Sequence, residues 1–269
     1  MNHVRRIYGV DFSGAAHAGR KIWIAAGVIE GESLRIEECV RGEDLPGSAR
    51  DRSQCLTALR EFIRVSGESI FGLDFPLGLP RDVLQQLTWE DFARSFADGY
   101  ATPQQFRQAC FVAAHGRELK RATDVESKTP FSPYNLRLYR QTYFGLRDVI
   151  GPLVEDRSAC VLPMQRARSG WPWLIEICPA STLKRLKLYV AYKGKTGDHR
   201  VARLGIVRSI QRRESLKLSA AVRSVVVGDP EGDALDSVIA ALATFHAVHA
   251  SHAALKRDAA YGIEGYVYT

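Results

Sequence analysis

The spacing of apolar residues changes repeatedly along the chain, and each change marks an element. Arg6-Ile7-Tyr8-Gly9-Val10-Asp11 is a short apolar run that ends near the turn residue Gly14. Residues 21–30 are rich in apolar and β-favouring side chains, and residues 33–40 alternate apolar with polar after Gly31. Three strands joined by turns predict an antiparallel meander. Over 49–65 the period lengthens: Cys55, Leu56, Leu59, Phe62 and Ile63 recur at helical spacing, with Asp51 and Arg60 on the other side. Residues 69–75 are again a short apolar run, broken by Pro76-Leu77-Gly78-Leu79-Pro80 as a buried strand leaving its sheet would be.

Between 81 and 170 four amphipathic stretches (82–86, 89–97, 103–114 and 135–149) read as peripheral helices. A fifth strand follows over 171–178 and is stopped by Pro179. Val225-Val226-Val227 is a short apolar run closed by the turn signal Gly228-Asp229-Pro230. The last helix starts between Glu231 and Asp233, and Ala234, Leu235, Val238, Ile239, Leu242, Ala243 and Phe245 give it a wide apolar face. With no repeat, low-complexity tract or linker, the pattern predicts one α/β domain over 1–269. A large, mostly helical insertion at about 81–170 separates its fourth and fifth strands.

Acids stand near the ends of three of these apolar strands: Asp11 in the first, Asp74 in the fourth and Glu176 in the fifth. If the strands are neighbours, their carboxylates cluster and repel unless protonated or neutralised by a cation. Asp233 and Asp236, three apart, share one face of the last helix at its first turn, where the helix dipole also favours them. Each acid has a local explanation as well: Asp233 as a helix cap, Asp236 as a first-turn acid, Asp11 and Asp74 as turn residues, and Asp229 as a plain turn residue. Strand ends and a helix start that jointly present acids, where α/β sheets place their active sites, favour a shared role. Magnesium or manganese is the natural neutraliser of such hard oxygens. Two such ions about 4 Å apart would activate a water and stabilise the leaving oxygen of a phosphodiester, with no side-chain nucleophile. The sequence has no G-x-S-x-G, HExxH or Walker loop that would suggest otherwise.

Composition narrows the setting. A hydrophobic fraction of 46% is enough for a packed core without staples. Cys39, Cys55, Cys110, Cys160 and Cys178 are odd in number and lack CxxC spacing, so buried free thiols are expected in place of a disulfide framework or zinc site. No apolar run approaches the roughly 18 residues of a membrane span, and the N-terminal residues lead straight into a strand, so a cytoplasmic location is expected. The net charge of +7 is unevenly spread, with twelve Lys or Arg against Asp198 and Glu214 alone over 184–223. That segment is either a phosphate clamp or a solvated helical surface.

The order of these elements resembles the ribonuclease H-like superfamily, especially its Holliday-junction-resolvase branch, and more narrowly the domain of unknown function 429 family of predicted nucleases. The pieces that carry the resemblance are Gly9-Val10-Asp11-Phe12-Ser13-Gly14-Ala15, 72–80, Arg140-Gln141-Thr142 with Tyr143 and Gly145, 175–180, 232–241 and Glu264-Gly265-Tyr266. The resemblance implies a mixed five-stranded sheet with helices on both faces and a metal site of Asp11, Asp74, Asp233 and Asp236, with Glu176 as a further catalytic candidate. It implies a metal-dependent nuclease that uses a water nucleophile on nucleic acid, and a homodimer suits a junction cutter by symmetry.

Other residues keep two readings. Arg140 and Lys193 are candidate phosphate contacts, or charges paired with acids. Trp171 and Trp173 favour core packing over base stacking. His246, His249 and His252, about one turn apart, are explained by a solvated helix surface, and Glu264 is either a cover for the site or a turn residue. Two competing functions remain open: phosphoryl transfer of the actin-like kinase type, which uses two copies of this fold, and a non-catalytic nucleic-acid or protein-binding module with the insertion as docking surface.

Overall fold

Alternation within two short strands decides which side of the sheet carries the site. The computed structural model describes residues 6–84, 88–249 and 259–269. Strands β1 (Arg6–Asp11), β2 (Trp23–Glu30) and β3 (Ser33–Arg41) form the expected antiparallel meander, with Asp11 opposite Trp23. Strand β4 (Ser69–Leu73) lies parallel to β1, in the register that pairs Gly9 with Gly72 and Val10 with Leu73. After β5 (Cys160–Val161) comes β6 (Trp173–Ile177), parallel to β4. Strands β7 (Leu216–Leu218) and β8 (Val267–Tyr268) complete a mixed sheet of order β5-β6-β4-β1-β2-β3-β7, with β8 also on β6.

The fold is α/β with helices on both faces of this mixed sheet. The expected count of five strands is corrected to eight among the described residues. The five long strands are those read from the sequence; the three added ones are two or three residues long, too short to show a period. The insertion also contains β5, so it is not wholly helical.

Within the insertion, Thr88 and Thr102 cap the helices Trp89–Gly99 and Pro103–Ala113 by accepting the backbone N–H of Asp91 and Gln105. The stretch expected to be helical at 82–86 is a 3₁₀ turn at Arg81–Val83, with its remainder running to residues outside those described. Val225-Val226-Val227 belongs to the helix Ala220–Gly228, capped by Ser219.

Successive strand residues point to opposite faces. Tyr8, Val10, Phe71, Leu73 and Leu174 pack on one face against the insertion and the helix Arg52–Val65. Ile7 lies on the other face with Leu235, Val238 and Ile239, and Ile70, Ile175 and Ile177 lie there with Ala240 and Ala243. The helix Asp233–His249 therefore covers the face to which Ile7, Gly9 and Asp11 belong. It lies very close. A Cβ on Gly9 would collide with the Ser237 carbonyl and the Ala241 backbone, and one on Gly72 with Thr244 Oγ1. Burial of each large apolar side chain at this seam contributes about 1.5–3 kcal/mol.

Candidate functional site

Gly9-Val10-Asp11 and Gly72-Leu73-Asp74 are the same pattern set side by side. The Asp74 N–H donates to the Val10 carbonyl at 3.0 Å, which extends the parallel ladder by one residue. Two residues beyond their glycines, Asp11 and Asp74 share the face covered by the helix Asp233–His249. That helix starts over the strand ends because Asp229 caps it, accepting the N–H of Ala234 at 3.0 Å and of Glu231 at 3.3 Å. Its first turn delivers Asp233 and Asp236 to the two strand acids.

Asp11 and Asp236 are buried, at 8% and 4% exposed, so they have little water to screen their repulsion. Burial, followed by the charges of Asp236, Asp233 and Asp74, holds the Asp11 carboxyl well above the usual range. Burial and Asp236 push Asp74 up to about 8. Burial also raises Asp233 and Asp236. The acids of this cluster therefore hold their protons more tightly than free carboxyls do.

One cation is already present. Lys193 Nζ lies 2.7 Å from Asp236 Oδ2 and 3.1 Å from Asp233 Oδ1. Burial alone would lower its pKa, but Asp236, Asp11 and Asp233 outweigh burial and raise it. The neighbouring Tyr192 hydroxyl donates to Asp236 Oδ1 at 2.6 Å. Tyr192 was not singled out in the sequence; its place beside Lys193 was the only available signal.

Glu176 stands apart from the four aspartates. It pairs in register with Leu73, one residue short of the level of Asp74, and so points to the opposite face. There it meets the buried Arg121, whose Nη1 donates to Glu176 Oε2 at 2.7 Å, while Nε and Nη2 donate to Asp124 at 3.0 and 2.7 Å. The Leu77 N–H also donates to Glu176, at 2.9 Å. Glu264 fastens the same region: its carboxylate accepts the N–H groups of Arg81 and Ala122, and its carbonyl accepts from Arg121. Neither Arg121 nor Asp124 was legible as a site residue.

Members of both groups line one pocket of about 480 Å³, in which Asp74, Asp236 and Lys193 meet Arg121 and Glu176, with Phe131 and Tyr189 among the apolar lining. The exposed Arg140 side chain donates to the Tyr139 hydroxyl at 3.1 Å, and its backbone lies against Gly14. Of the basic segment, Arg203 is buried and structural, whereas Lys184, Lys187 and Lys195 are exposed on either side of the 189–193 rim. Trp171 and Trp173 pack partly buried against the core. His246 lies 3.4 Å from Glu214, and His252 falls outside the described residues.

Four carboxylates are hard oxygen donors of the kind that suits magnesium or manganese. As they stand, Tyr192 and Lys193 engage both oxygens of Asp236. Among the described residues, no group of three His, Cys, Asp or Glu is set to hold a metal ion. The donor chemistry fits a divalent cation, and the arrangement with Lys193 seated does not. No described helix is long and apolar enough to cross a membrane. No protein-family model, no curated protein and no solved structure matches the chain.

Proposed function

We propose that the chain is a metal-dependent hydrolase of phosphodiester bonds in nucleic acid, built on a ribonuclease H-like fold of the domain of unknown function 429 type. The observation that carries this reading is the convergence of Asp11, Asp74, Asp233 and Asp236, from two adjacent parallel strand ends and one helix start, at the edge of a pocket that Asp74 and Asp236 line. Its five long strands and two helical faces suit the resemblance. A cytoplasmic setting suits its five free cysteines.

A cluster of four carboxylates with one ammonium repels an anionic substrate unless more positive charge arrives with it. Asp11, Asp74, Asp233 and Asp236 would hold magnesium or manganese, which when bound supplies Lewis acidity at the phosphoryl group. The chain's own groups do the rest. The Tyr192 hydroxyl orients Asp236 by donating to Oδ1. Arg121 keeps Glu176 ion-paired in the pocket wall, and exposed Lys184, Lys187 and Lys195 flank the rim where a phosphate backbone would run.

The test is cleavage of a panel of single-stranded, duplex, hybrid and branched nucleic acids with magnesium or manganese. Cleavage by the wild type, lost in a folded Asp11→Asn/Asp236→Asn variant, supports the reading; equal cleavage by both, or none by either, removes it.

A further inference from the structure

We propose that Lys193 is a tethered cation that fills the aspartate cluster until a divalent metal displaces it, so that ammonium and metal compete for the same carboxylates. This rests on the metal-binding part of the function proposed above.

The lysine is built into its position. Buried Arg203 donates from Nη1 to the carbonyls on both sides of it, Tyr192 at 2.6 Å and Gly194 at 3.1 Å, and from Nε to the Val227 carbonyl at 3.0 Å. The Gly194 N–H donates to the Pro230 carbonyl at 2.7 Å. Opposite, Gly232 has φ +78°, and a Cβ there would press on the Tyr192 ring and Lys193 Cγ. The backbone of 192–194 is thus braced against the start of the Asp233–His249 helix. A surface lysine that merely drifts to a nearby acid has no such support.

The side chain itself is free to leave. It is 49% exposed, although its Nζ reaches Asp236, whose side chain is only 6% exposed. Rotation of the stem would carry the ammonium to solvent without disturbing the Arg203 brace. Lys193 presents one positive charge and three donors to these oxygens, whereas a divalent ion presents twice the charge and takes several oxygens at once. Two cations on Asp236 Oδ2 would repel one another at close range, so the metal's arrival favours the departure of the ammonium. Competition also accounts for an arrangement in which four converging aspartates form no ready ligand set.

Calorimetric titration of manganese into the whole chain tests this, with wild type, Lys193→Met, Lys193→Gln and Lys193→Arg compared after circular dichroism has shown each to be folded. The two neutral variants should bind manganese about tenfold or more tighter than wild type, the scale of an ordinary coupling between sites. They should also gain a larger thermal shift on metal addition. Lys193→Arg, which keeps a cation in place, should stay near wild type. Equal affinity in wild type and both neutral variants would overturn the competition and leave the metal site standing. Weaker binding in the neutral variants would also overturn it, making Lys193 an aid to the metal. Uptake by none of the four proteins would overturn the competition together with the metal reading beneath it.

Discussion

Gly9 and Gly72 face each other across the parallel β1–β4 pair, and together they form the bare strip on which the Asp233–His249 helix rests. Each glycine sits two residues before an aspartate. The absence of a side chain lets the helix backbone descend, and the descent brings Asp233 and Asp236 level with Asp11 and Asp74. The same feature thus shapes both core and site.

Filling that strip should cost stability unevenly. At Gly9 a methyl meets only helix backbone, which cannot step aside, whereas at Gly72 its nearest neighbour is the Thr244 hydroxyl, a side chain that can turn. Gly9→Ala should lose about 1–3 kcal/mol, the usual penalty of overpacking, and Gly72→Ala less. Urea unfolding would show it, and the reverse order would count against a rigid helix seat.

Arg121 carries two buried carboxylates, Asp124 and Glu176. Arg121→Met should destabilise the fold by about 3–5 kcal/mol, because it strands buried acids without a partner. Adding Glu176→Gln should recover part of that loss. Denaturant midpoints for the single and double variants decide the matter; a double variant worse than the single would show that Glu176 gains its place by other contacts.

Stability should also depend on pH in a definite direction. Burial and Asp236 push Asp74 up to about 8, against about 4 in an unfolded chain. Between those values the folded state keeps a proton that the unfolded state has released, so stability falls as pH rises through about 8. In chelator, the melting temperature of wild type should drop more between about pH 5 and about pH 8.5 than that of Asp74→Asn, whose amide cannot ionise. Parallel curves for the two proteins would mean that Asp74 carries no retained proton.

Much of this was legible in the chain. The meander, the Arg52–Val65 helix and the amphipathic last helix announced themselves by period, and a place at the end of an apolar run marked both strand acids. Glu176 looked equivalent because it too lies near a strand end; only the register, which pairs it with Leu73, reveals that it faces the other way. A one-residue offset in parity is invisible without the pairing partner. Arg121 and Tyr192 were hidden for a different reason. Each lies in a segment without period and reaches its partner, Glu176 or Asp236, across long sequence separation, so no local pattern connects them. Strands β5, β7 and β8 were missed because two or three residues cannot display alternation.

The most direct test of the account sets Asp11→Asn beside Glu176→Gln in one manganese-dependent cleavage assay, on a nucleic acid that the wild type cuts, with circular dichroism as the check on folding. Four aspartates on one face of the sheet predict that Asp11→Asn loses at least about a hundredfold in rate, while Glu176→Gln, on the other face, keeps most of it. Cleavage that survives Asp11→Asn and disappears with Glu176→Gln would contradict the account.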